Sequence, residues 1–342
     1  MAIIFMEGFD NIDEVQLSNG AKFTHRDTDI VISSSYARFS GSGIQMNEDN
    51  ASELIKDFPL TTYTTMVMGV AVNILSSTPT YSAGSPVFSF MENSGTNNHI
   101  RIHFLNTKQI AVYNFNGTLL GTTPFSLSNN IWHYLEIKVH IHDTIGTVDI
   151  QVDGTSWLSL SNQDTRNGGS GYIDRWRMGG LYFDQTWRLD DLYIDDSDFH
   201  GDVRILTLPT TSDGTHIDFT PSAGNRYECV DEFGGSGYNS DIDYVYSNSL
   251  GAQQTFKFTT GSLGTVHAVQ LSNVTKKDNA GIVETKNLCR SNSTDYISAA
   301  FIPSANYTYH QNVWETDPDD SNAWTQTKLE AAEFGLQITS VP

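Results

Sequence analysis

The 342-residue chain is poor in basic residues and in long apolar runs. It has 19 Lys and Arg against 40 Asp and Glu, which gives a net charge of −21. Affinity for nucleic acid depends on Lys and Arg that neutralise phosphates, so we expect this chain not to bind nucleic acid. No run approaches the roughly 20 apolar residues of a membrane-spanning helix, so we expect no membrane insertion.

Cysteine is also scarce, with 2 residues, Cys229 and Cys289. Neither belongs to a CxxC or zinc-like spacing. Residues 1–7 lack the basic segment of a secretory signal, so we expect the chain to be made in a reducing cytoplasm. Both cysteines are therefore predicted to be free thiols.

What the sequence does contain is alternation of apolar and polar residues, which is clearest in residues 131–160. Asp153-Gly154 in this segment is a strong signal for a tight turn between antiparallel strands. We predict an antiparallel hairpin followed by a third strand. The residues predicted to be buried are Trp132, Leu135, Ile137, Val139, Val148, Ile150 and Val152.

Strand-like segments recur about every ten residues along the chain, with almost no helical period. This spacing predicts an all-β fold of two antiparallel β-sandwich (jelly-roll) domains. We place the first at residues 1–200 and the second at residues 201–342, because the pattern changes after Phe199. One short helix is predicted near the C-terminus, at residues 325–334, with Gly335 as its C-cap.

Several short segments carry a resemblance to a known family. In the first half they are F-M-E-G-F-D, W-H-Y-L-E-I-K-V, D-T-R before a glycine pair, and L-D-D-L-Y-I-D-D. In the second half they include F-T-P-S-A-G-N, W-E-T-D-P and A-x-E-F-G. Together these segments resemble tailed-bacteriophage virion structural proteins with an N-terminal laminin-G/concanavalin-A-like jelly roll.

The resemblance implies a location on the virion surface, after assembly in the cytoplasm of a bacterial host. Other virion proteins are the implied partners, together with further copies of the chain in a homo-oligomer and a host surface glycan. The second domain would then be an attachment or packing module. In laminin-G-like folds the closing strand returns beside the first, which would pair residues 187–194 with residues 1–10.

We therefore expect a non-enzymatic virion protein associated with the tail, as part of a fibre, tip or adhesion device. The alternative within that class is a capsid (head) decoration protein. Alternatives of another class are a glycan-binding lectin and a polysaccharide depolymerase. Glycoside hydrolases of this superfold carry E-x-D-x-x-E or E-x-D-x-E on one strand. This chain has no such run, and Glu136 stands alone at the matching position, so we expect no catalytic residues.

Aromatic residues near a predicted loop are the first candidates for binding. Tyr182, Phe183 and Trp187 flank this loop, and exposed aromatic rings stack on sugars. We predict that these three residues form a glycan- or partner-facing patch.

Carboxylates near the first and last strands of the first domain are candidate calcium ligands. The resemblance suggests such a site, because laminin-G-like domains often bind calcium at a sheet rim. Ca²⁺ takes about six to eight oxygen ligands. The candidates are Glu7, Asp10, Asp190 and Asp191, and the alternative is a solvated acidic strand end. We expect no other cofactor.

The second domain offers aromatic residues of the kind that anchor interfaces. Tyr307, Tyr309 and Trp314 are the predicted assembly surface. The histidines, which include His99 and His103, are scattered along the chain. His140 and His142 are spaced to share a metal, but we see no third ligand and expect a surface pair.

Overall fold

The computed structural model describes residues 2–12, 22–26, 29–46, 52–58, 63–75, 85–92, 97–168, 171–180, 186–232 and 241–342. Among these residues the chain forms two compact units. The first runs to Ile205 and the second begins at Leu206. The two units are close in extent to the two predicted domains.

In its described residues the first unit consists of strands with one short 3-10 helix, Ser34–Tyr36. Its strands are β1 Ile3–Glu7, β2 His25–Arg26, β3 Ile30–Ser33, β4 Gly43–Met46, β5 Ser52–Asp57, β6 Thr65–Ile74, β7 Ser85–Glu92, β8 Asn97–Phe104, β9 Ile110–Asn114, β10 Leu119–Thr122, β11 Trp132–His140, β12 Gly146–Val152, β13 Thr155–Gln163, β14 Arg175–Gly180 and β15 Trp187–Asp195.

These strands form two antiparallel sheets. The eight-stranded sheet has the order β13-β12-β11-β6-β15-β4-β3, and β1 also pairs with β15. The seven-stranded sheet has the order β10-β9-β8-β7-β14-β5-β2. Apolar residues from both sheets share one core, in which Leu135 and Ile137 from one sheet are as fully buried as Phe88, Ile102 and Trp176 from the other. The predicted all-β sandwich is thus confirmed.

The predicted hairpin is β11 and β12. Ile137 pairs with Ile150 and Val139 pairs with Val148, on the face that is buried in the core. The φ angles of Asp153 and Gly154 are 51° and 73°, as the predicted tight turn requires. Trp132 differs from the prediction, because it is half-buried on the opposite face of the sheet.

The predicted return of the closing strand to the first strand is also observed. β1 pairs with β15 in antiparallel register, from Ile3 opposite Asp195 to Glu7 opposite Leu192. Both ends of the sandwich sequence therefore lie in the eight-stranded sheet.

A close approach of a tyrosine to a glycine organises the outer face of that sheet. The ring of Tyr193 lies directly over Gly69, where an added Cβ would be 2.0 Å from Cε1 of the ring. This lets the Tyr193 hydroxyl donate to the buried carboxylate of Glu136. The same Glu136 oxygen accepts the N–H groups of His200 and Gly201, each at 2.9 Å. Glu136 thus fixes the chain segment that leads out of the sandwich.

The second unit is also mainly β. Its strands are β16 Thr210–Ile217, β17 Thr220–Pro221, β18 Val245–Tyr246, β19 Gln253–Phe258, β20 Val269–Thr275, β21 Glu284–Ser291, β22 Thr294–Phe301, β23 Thr308–Trp314 and β24 Glu333–Ser340. They form a five-stranded sheet, β16-β19-β24-β21-β22, and two ribbons, β17-β18 and β20-β23. Its helices are a 3-10 helix, Tyr227–Val230, and α1, Gln326–Ala331.

Helix α1 lies where a helix was predicted but is shorter. Thr325 caps it by accepting the N–H of Lys328, and the chain leaves the helix after Ala331. The prediction of Gly335 as a C-cap is wrong, because Gly335 lies inside β24. An added Cβ there would be 1.8 Å from the carbonyl oxygen of Gln254 on β19. Pairing of β24 with strands on both sides overrides the local helical pattern.

Two further features of the described residues bear on the sequence predictions. Cys229 and Cys289 are both free and buried, as predicted. No helix in the described part of the chain is long and apolar enough to cross a membrane.

Candidate functional site

The candidate site lies on the outer face of the seven-stranded sheet. Successive side chains of a strand point to opposite faces. On β8, Ile100, Ile102 and Phe104 are buried in the core. The alternate residues Arg101 and His103 therefore point away from the core, and both are half-buried.

Strand register places four polar side chains in one line across this face. Arg177 on β14 is opposite Ser89 on β7, Ser89 is opposite Arg101 on β8, and Arg101 is opposite Tyr113 on β9. Neighbouring strands are about 4.8 Å apart, so these four residues span roughly 14 Å. We call Arg177, Ser89, Arg101 and Tyr113 the outer row.

Arg177 is held firmly at one end of the outer row. Its Nη1 contacts Oε1 of Glu53 at 3.1 Å, and its Nη2 donates to Ser89 Oγ at 3.2 Å and Asn98 Oδ1 at 3.3 Å. Burial lowers the pKa of Arg177. Its guanidinium is thus occupied in holding β5, β7 and β8 together.

Arg175, two residues earlier on the same strand, is also occupied. Its Nε and Nη2 donate to the two oxygens of Asp57 at 2.5 and 2.9 Å. The hydrogen bonds to Asp57 raise the pKa of Arg175. Arg175 and Arg177 are therefore structural cations with carboxylate partners.

Arg101 is different, because it forms no ion pair with any described residue. Its Nη2 donates to the carbonyl oxygens of Asn114 and Phe115, each at 3.3 Å. Its Nε is shielded from solvent and has no hydrogen-bond partner among the described residues. Arg101 therefore carries a positive charge that no neighbouring carboxylate in the described part of the site neutralises.

Two groups able to exchange protons lie beside Arg101. Tyr113 is directly opposite it, and the ring of His103 contacts the ring of Tyr113, with 4.6 Å between centroids and 50° between planes. A guanidinium next to an imidazole and a phenol can bind an anion and move a proton near it. Arg101 and Tyr113 were not predicted from the sequence, and His103 was predicted only as one of several scattered histidines.

Of the three residues of the predicted aromatic patch, the structure describes Trp187. Tyr182 and Phe183 lie outside the described residues. For Trp187 the prediction is wrong, because this side chain is 1% exposed. Its ring packs against Phe88 at 5.7 Å and Phe104 at 6.1 Å, on the core face of β15.

The four predicted calcium ligands are buried and have protein partners. One oxygen of Glu7 accepts the N–H of Phe9 at 2.8 Å, and the other pairs with Lys22 at 2.8 Å. The remaining three carboxylates each accept backbone N–H groups: Asp10 from Ser42, Asp190 from Arg38 and Asp191, and Asp191 from Ile205. Within the described ranges no group of three or more Asp, Glu, His or Cys is arranged to hold a metal ion. Calcium binding stays a prediction.

The predicted assembly residues of the second unit are half-buried. The Tyr307 hydroxyl donates to Asp241 at 2.8 Å, and the ring of Trp314 lies 5.7 Å from that of Phe334 in the core of this unit. Tyr309 lies in β23 opposite Val274. Their role in assembly stays a prediction.

Comparison with known proteins gives distant structural likenesses. No family model matches the chain. No curated protein sequence matches it either. A double mutant of alginate lyase Aly36B, in complex with an alginate tetrasaccharide, is 15% identical over 45% of this chain and 81% of its own, with a TM-score of 0.34. An alginate lyase from Chlorella virus is 11% identical over 57% of this chain and all of its own, with a TM-score of 0.44.

A Trypanosoma rangeli sialidase is 15% identical over 46% of this chain, with a TM-score of 0.36, and the match spans 26% of the sialidase. The expectation of a non-enzymatic virion protein is contradicted by these neighbours, which are carbohydrate-active enzymes. The tail and capsid assignments have no support among them. At these identities and TM-scores the neighbours assign no activity to this chain.

Proposed function

We propose that the first unit binds an acidic polysaccharide along the outer row and cleaves it by elimination. The observation that carries the proposal is Arg101. It is a half-buried guanidinium on a sheet face, it has no carboxylate partner among the described residues, and proton-transfer groups lie beside it.

The chemistry of Arg101 favours a carboxylate ligand. A guanidinium presents a planar fork of donors that matches a carboxylate, and such charge-assisted bonds are about twice as strong as neutral ones. Tyr113 beside it adds a hydroxyl and an aromatic ring, which suit the hydroxyl groups and the C–H faces of a sugar. Ser89 on the other side is fully buried and accepts from Arg177. An acidic sugar is therefore a better match than a neutral one.

The extent of the outer row favours a polymer. The four residues span roughly 14 Å across four strands, which is longer than one sugar ring. An extended chain of uronate sugars can lie along this line, with one carboxylate at Arg101.

The same groups can carry out an elimination. Arg101 neutralises the uronate carboxylate, which makes the adjacent C5 proton more acidic. His103 removes this proton, the C5–H electron pair forms the C4=C5 double bond, and the bond from C4 to the glycosidic oxygen breaks. Tyr113 gives its proton to the departing oxygen. No water is consumed, so the products are a new chain end with a free hydroxyl and an unsaturated uronate.

The net charge of −21 repels a polyanion at long range. That repulsion is screened beyond about 10 Å at 0.1 M salt, whereas the contact at Arg101 is short and partly shielded. Association should therefore become faster between about 0.01 and 0.1 M salt, which is opposite to the behaviour of a basic protein.

The test is to incubate the full chain with alginate, in which every sugar carries a carboxylate. Elimination gives products with ultraviolet absorbance from the double bond, and mass spectrometry shows that no water has been added. Tyr113→Phe and His103→Gln should each lower the rate by about 10²–10⁴-fold, the usual contribution of a general acid or base, with binding largely kept.

Tyr36→Phe is the matched control, because the Tyr36 ring lies under the guanidinium of Arg188 on the eight-stranded sheet. It should leave the rate unchanged. Products that have gained water would refute the elimination. Alginate binding without cleavage would refute the catalytic part of the proposal and leave a lectin.

A further inference from the structure

The ribbon β17-β18 of the second unit turns one of its faces to the core of that unit. Val245 on β18 packs against the buried cluster that contains Phe219 and Ile338. Successive side chains of an extended chain point to opposite faces, so Tyr244 and Tyr246 on either side of Val245 point away from this core. Their exposed fractions are 39% and 53%. Both tyrosine rings are therefore presented to solvent.

The opposite strand adds two hydroxyl groups to the same face. Thr220 is directly opposite Tyr246, and the N–H of Ser222 donates to the carbonyl oxygen of Tyr244 at 2.8 Å. Residues that lie opposite each other in an antiparallel pair share a face. Thr220 and Ser222 are both exposed. We call Thr220, Ser222, Tyr244 and Tyr246 the ribbon face, and none of its residues carries a charge.

The backbone holds the two rings in a fixed arrangement. The N–H of Tyr244 donates to Oγ of Ser222 at 2.8 Å, in addition to the bond that Tyr244 accepts from Ser222. The ring centroids of Tyr244 and Tyr246 are 5.9 Å apart, and the ring planes are tilted by 55°. Neither phenol hydroxyl forms a hydrogen bond with a described residue. The ribbon face thus offers two rings and their free hydroxyl groups from a paired backbone.

These groups fit a sugar chain. Aromatic rings stack on the C–H faces of sugars, and the phenol, threonine and serine hydroxyls can bond to sugar hydroxyls. The spacing of the two rings is close to the length of one sugar residue, so they can contact successive sugars. Because the ring planes are tilted, a flat crystalline surface cannot lie on both rings. A twisted chain in solution can contact both.

The charges around the ribbon favour a neutral sugar. Asp218 comes just before β17, and Asp243 comes just before β18. Arg226 donates to the backbone beside β17, and it pairs with Asp213 at 3.4 Å. The ribbon face itself contains no Lys or Arg that could bind a carboxylate, in contrast to the outer row with Arg101.

The small size of the ribbon face also favours a sugar over a protein partner. Its two strands consist of two residues each. A stable protein interface buries about 800 Å² on each partner, which is far more than such a ribbon offers. A short stretch of a sugar chain needs contact with only a few side chains.

We propose that the ribbon face of the second unit binds a soluble neutral polysaccharide. This goes beyond the proposed function, which assigns an acidic polysaccharide to the first unit. The two sites differ in charge, so each can be tested without the other.

The experiment is affinity electrophoresis of the full chain in gels that contain dextran, galactomannan, xylan or hydroxyethyl cellulose. At least one of these should retard the chain. Tyr244→Ala and Tyr246→Ala should each weaken that binding about 2–10-fold, as expected for the loss of one aromatic contact. Thr220→Val keeps the shape of the side chain and removes its hydroxyl, so it should weaken binding about 2–10-fold through one lost hydrogen bond.

Phe125→Ala is the matched control. Phe125 is 57% exposed and also belongs to an aromatic pair, with its ring 5.6 Å from that of Trp157 in the first unit. Its substitution should leave the retardation unchanged. No retardation by any of the four polysaccharides would overturn the proposal, as would an equal loss of binding in Phe125→Ala and Tyr246→Ala.

Two further measurements separate this proposal from its rivals. The affinity for alginate should be the same in Tyr246→Ala as in the unsubstituted chain, and a loss there would place an acidic sugar on the ribbon face. If the chain does not bind alginate at all, the proposed function fails, while retardation by a neutral polysaccharide still decides this site. Sedimentation velocity should show the same assembly state with and without the two tyrosines. Dissociation of an oligomer in the double variant would assign the ribbon face to a second copy of the chain instead of a sugar.

Discussion

Replacement of Gly69 by alanine tests how the outer face of the eight-stranded sheet is built. A Cβ at this position would lie 2.0 Å from Cε1 and 2.5 Å from Cζ of Tyr193. The ring is 1% exposed, so it has little room to move away. Its displacement would also break the hydrogen bond from Tyr193 to Glu136, which is 1% exposed as well.

The expected cost follows from three contributions. Overpacking of a filled site costs about 1–3 kcal/mol. Loss of a hydrogen bond to a charged group costs about 1.5–3 kcal/mol. Replacement of glycine by alanine returns about 0.4–1 kcal/mol through the unfolded chain. The free energy of unfolding of the first unit should therefore fall by about 2–5 kcal/mol.

The measurement is native-state hydrogen exchange of β6 and β15, because two units in one chain do not give a single unfolding transition. Gly168→Ala is the control, since an added Cβ there meets nothing within 4 Å. In a double-mutant cycle, Gly69→Ala should cost at least about 1 kcal/mol less in a chain that carries Tyr193→Leu than in the unsubstituted chain. A cost below about 0.5 kcal/mol for Gly69→Ala would refute the packing argument.

Two further predictions concern buried residues of β15. Burial and the neighbouring Asp191 raise the pKa of Asp190 from 3.8 to about 8. Because the protonated form is favoured in the fold, the free energy of unfolding of the first unit should fall as the pH rises through this range, and Asp190→Asn should flatten that dependence. An equally steep pH dependence in the variant would contradict the assignment. Trp187→Ala should cost about 3–5 kcal/mol in hydrogen exchange of β15, as expected for a core aromatic, and a cost below about 1 kcal/mol would contradict its core position.

The sequence predicted the parts of the fold that depend on local pattern. Apolar and polar residues alternate strictly in residues 131–160, and the segment contains Asp153-Gly154. The two-residue period and the turn residues therefore both predict a hairpin. Local pattern was insufficient where pairing or packing with distant strands decides the conformation or the burial of a residue. Gly335 follows a helical segment, but β24 is paired on both sides, and Trp187 follows a predicted loop but faces the core.

The candidate site was missed for the same reason. The alternation of His99, Arg101 and His103 with Ile100, Ile102 and Phe104 was visible in the sequence and places three polar side chains on one face of a strand. The position of Tyr113 beside Arg101 depends on the register between β8 and β9, and Arg177 comes from a strand far along the chain. Composition and motif spacing carry no information on such long-range register.

The affinity of the chain for alginate in two arginine variants tests the central claim most directly. Arg101→Met removes the guanidinium that has no carboxylate partner among the described residues. Arg188→Met removes another half-buried arginine, which is bound to Gln45 on the eight-stranded sheet.

Calorimetric titration at about 0.15 M salt, where long-range repulsion is screened, gives the dissociation constants of both variants for alginate. Loss of a charge-assisted contact worth about 1.5–3 kcal/mol should weaken binding about 10–150-fold in Arg101→Met and leave Arg188→Met unchanged. Equal affinities in the two variants would contradict the assignment of the site to the outer row.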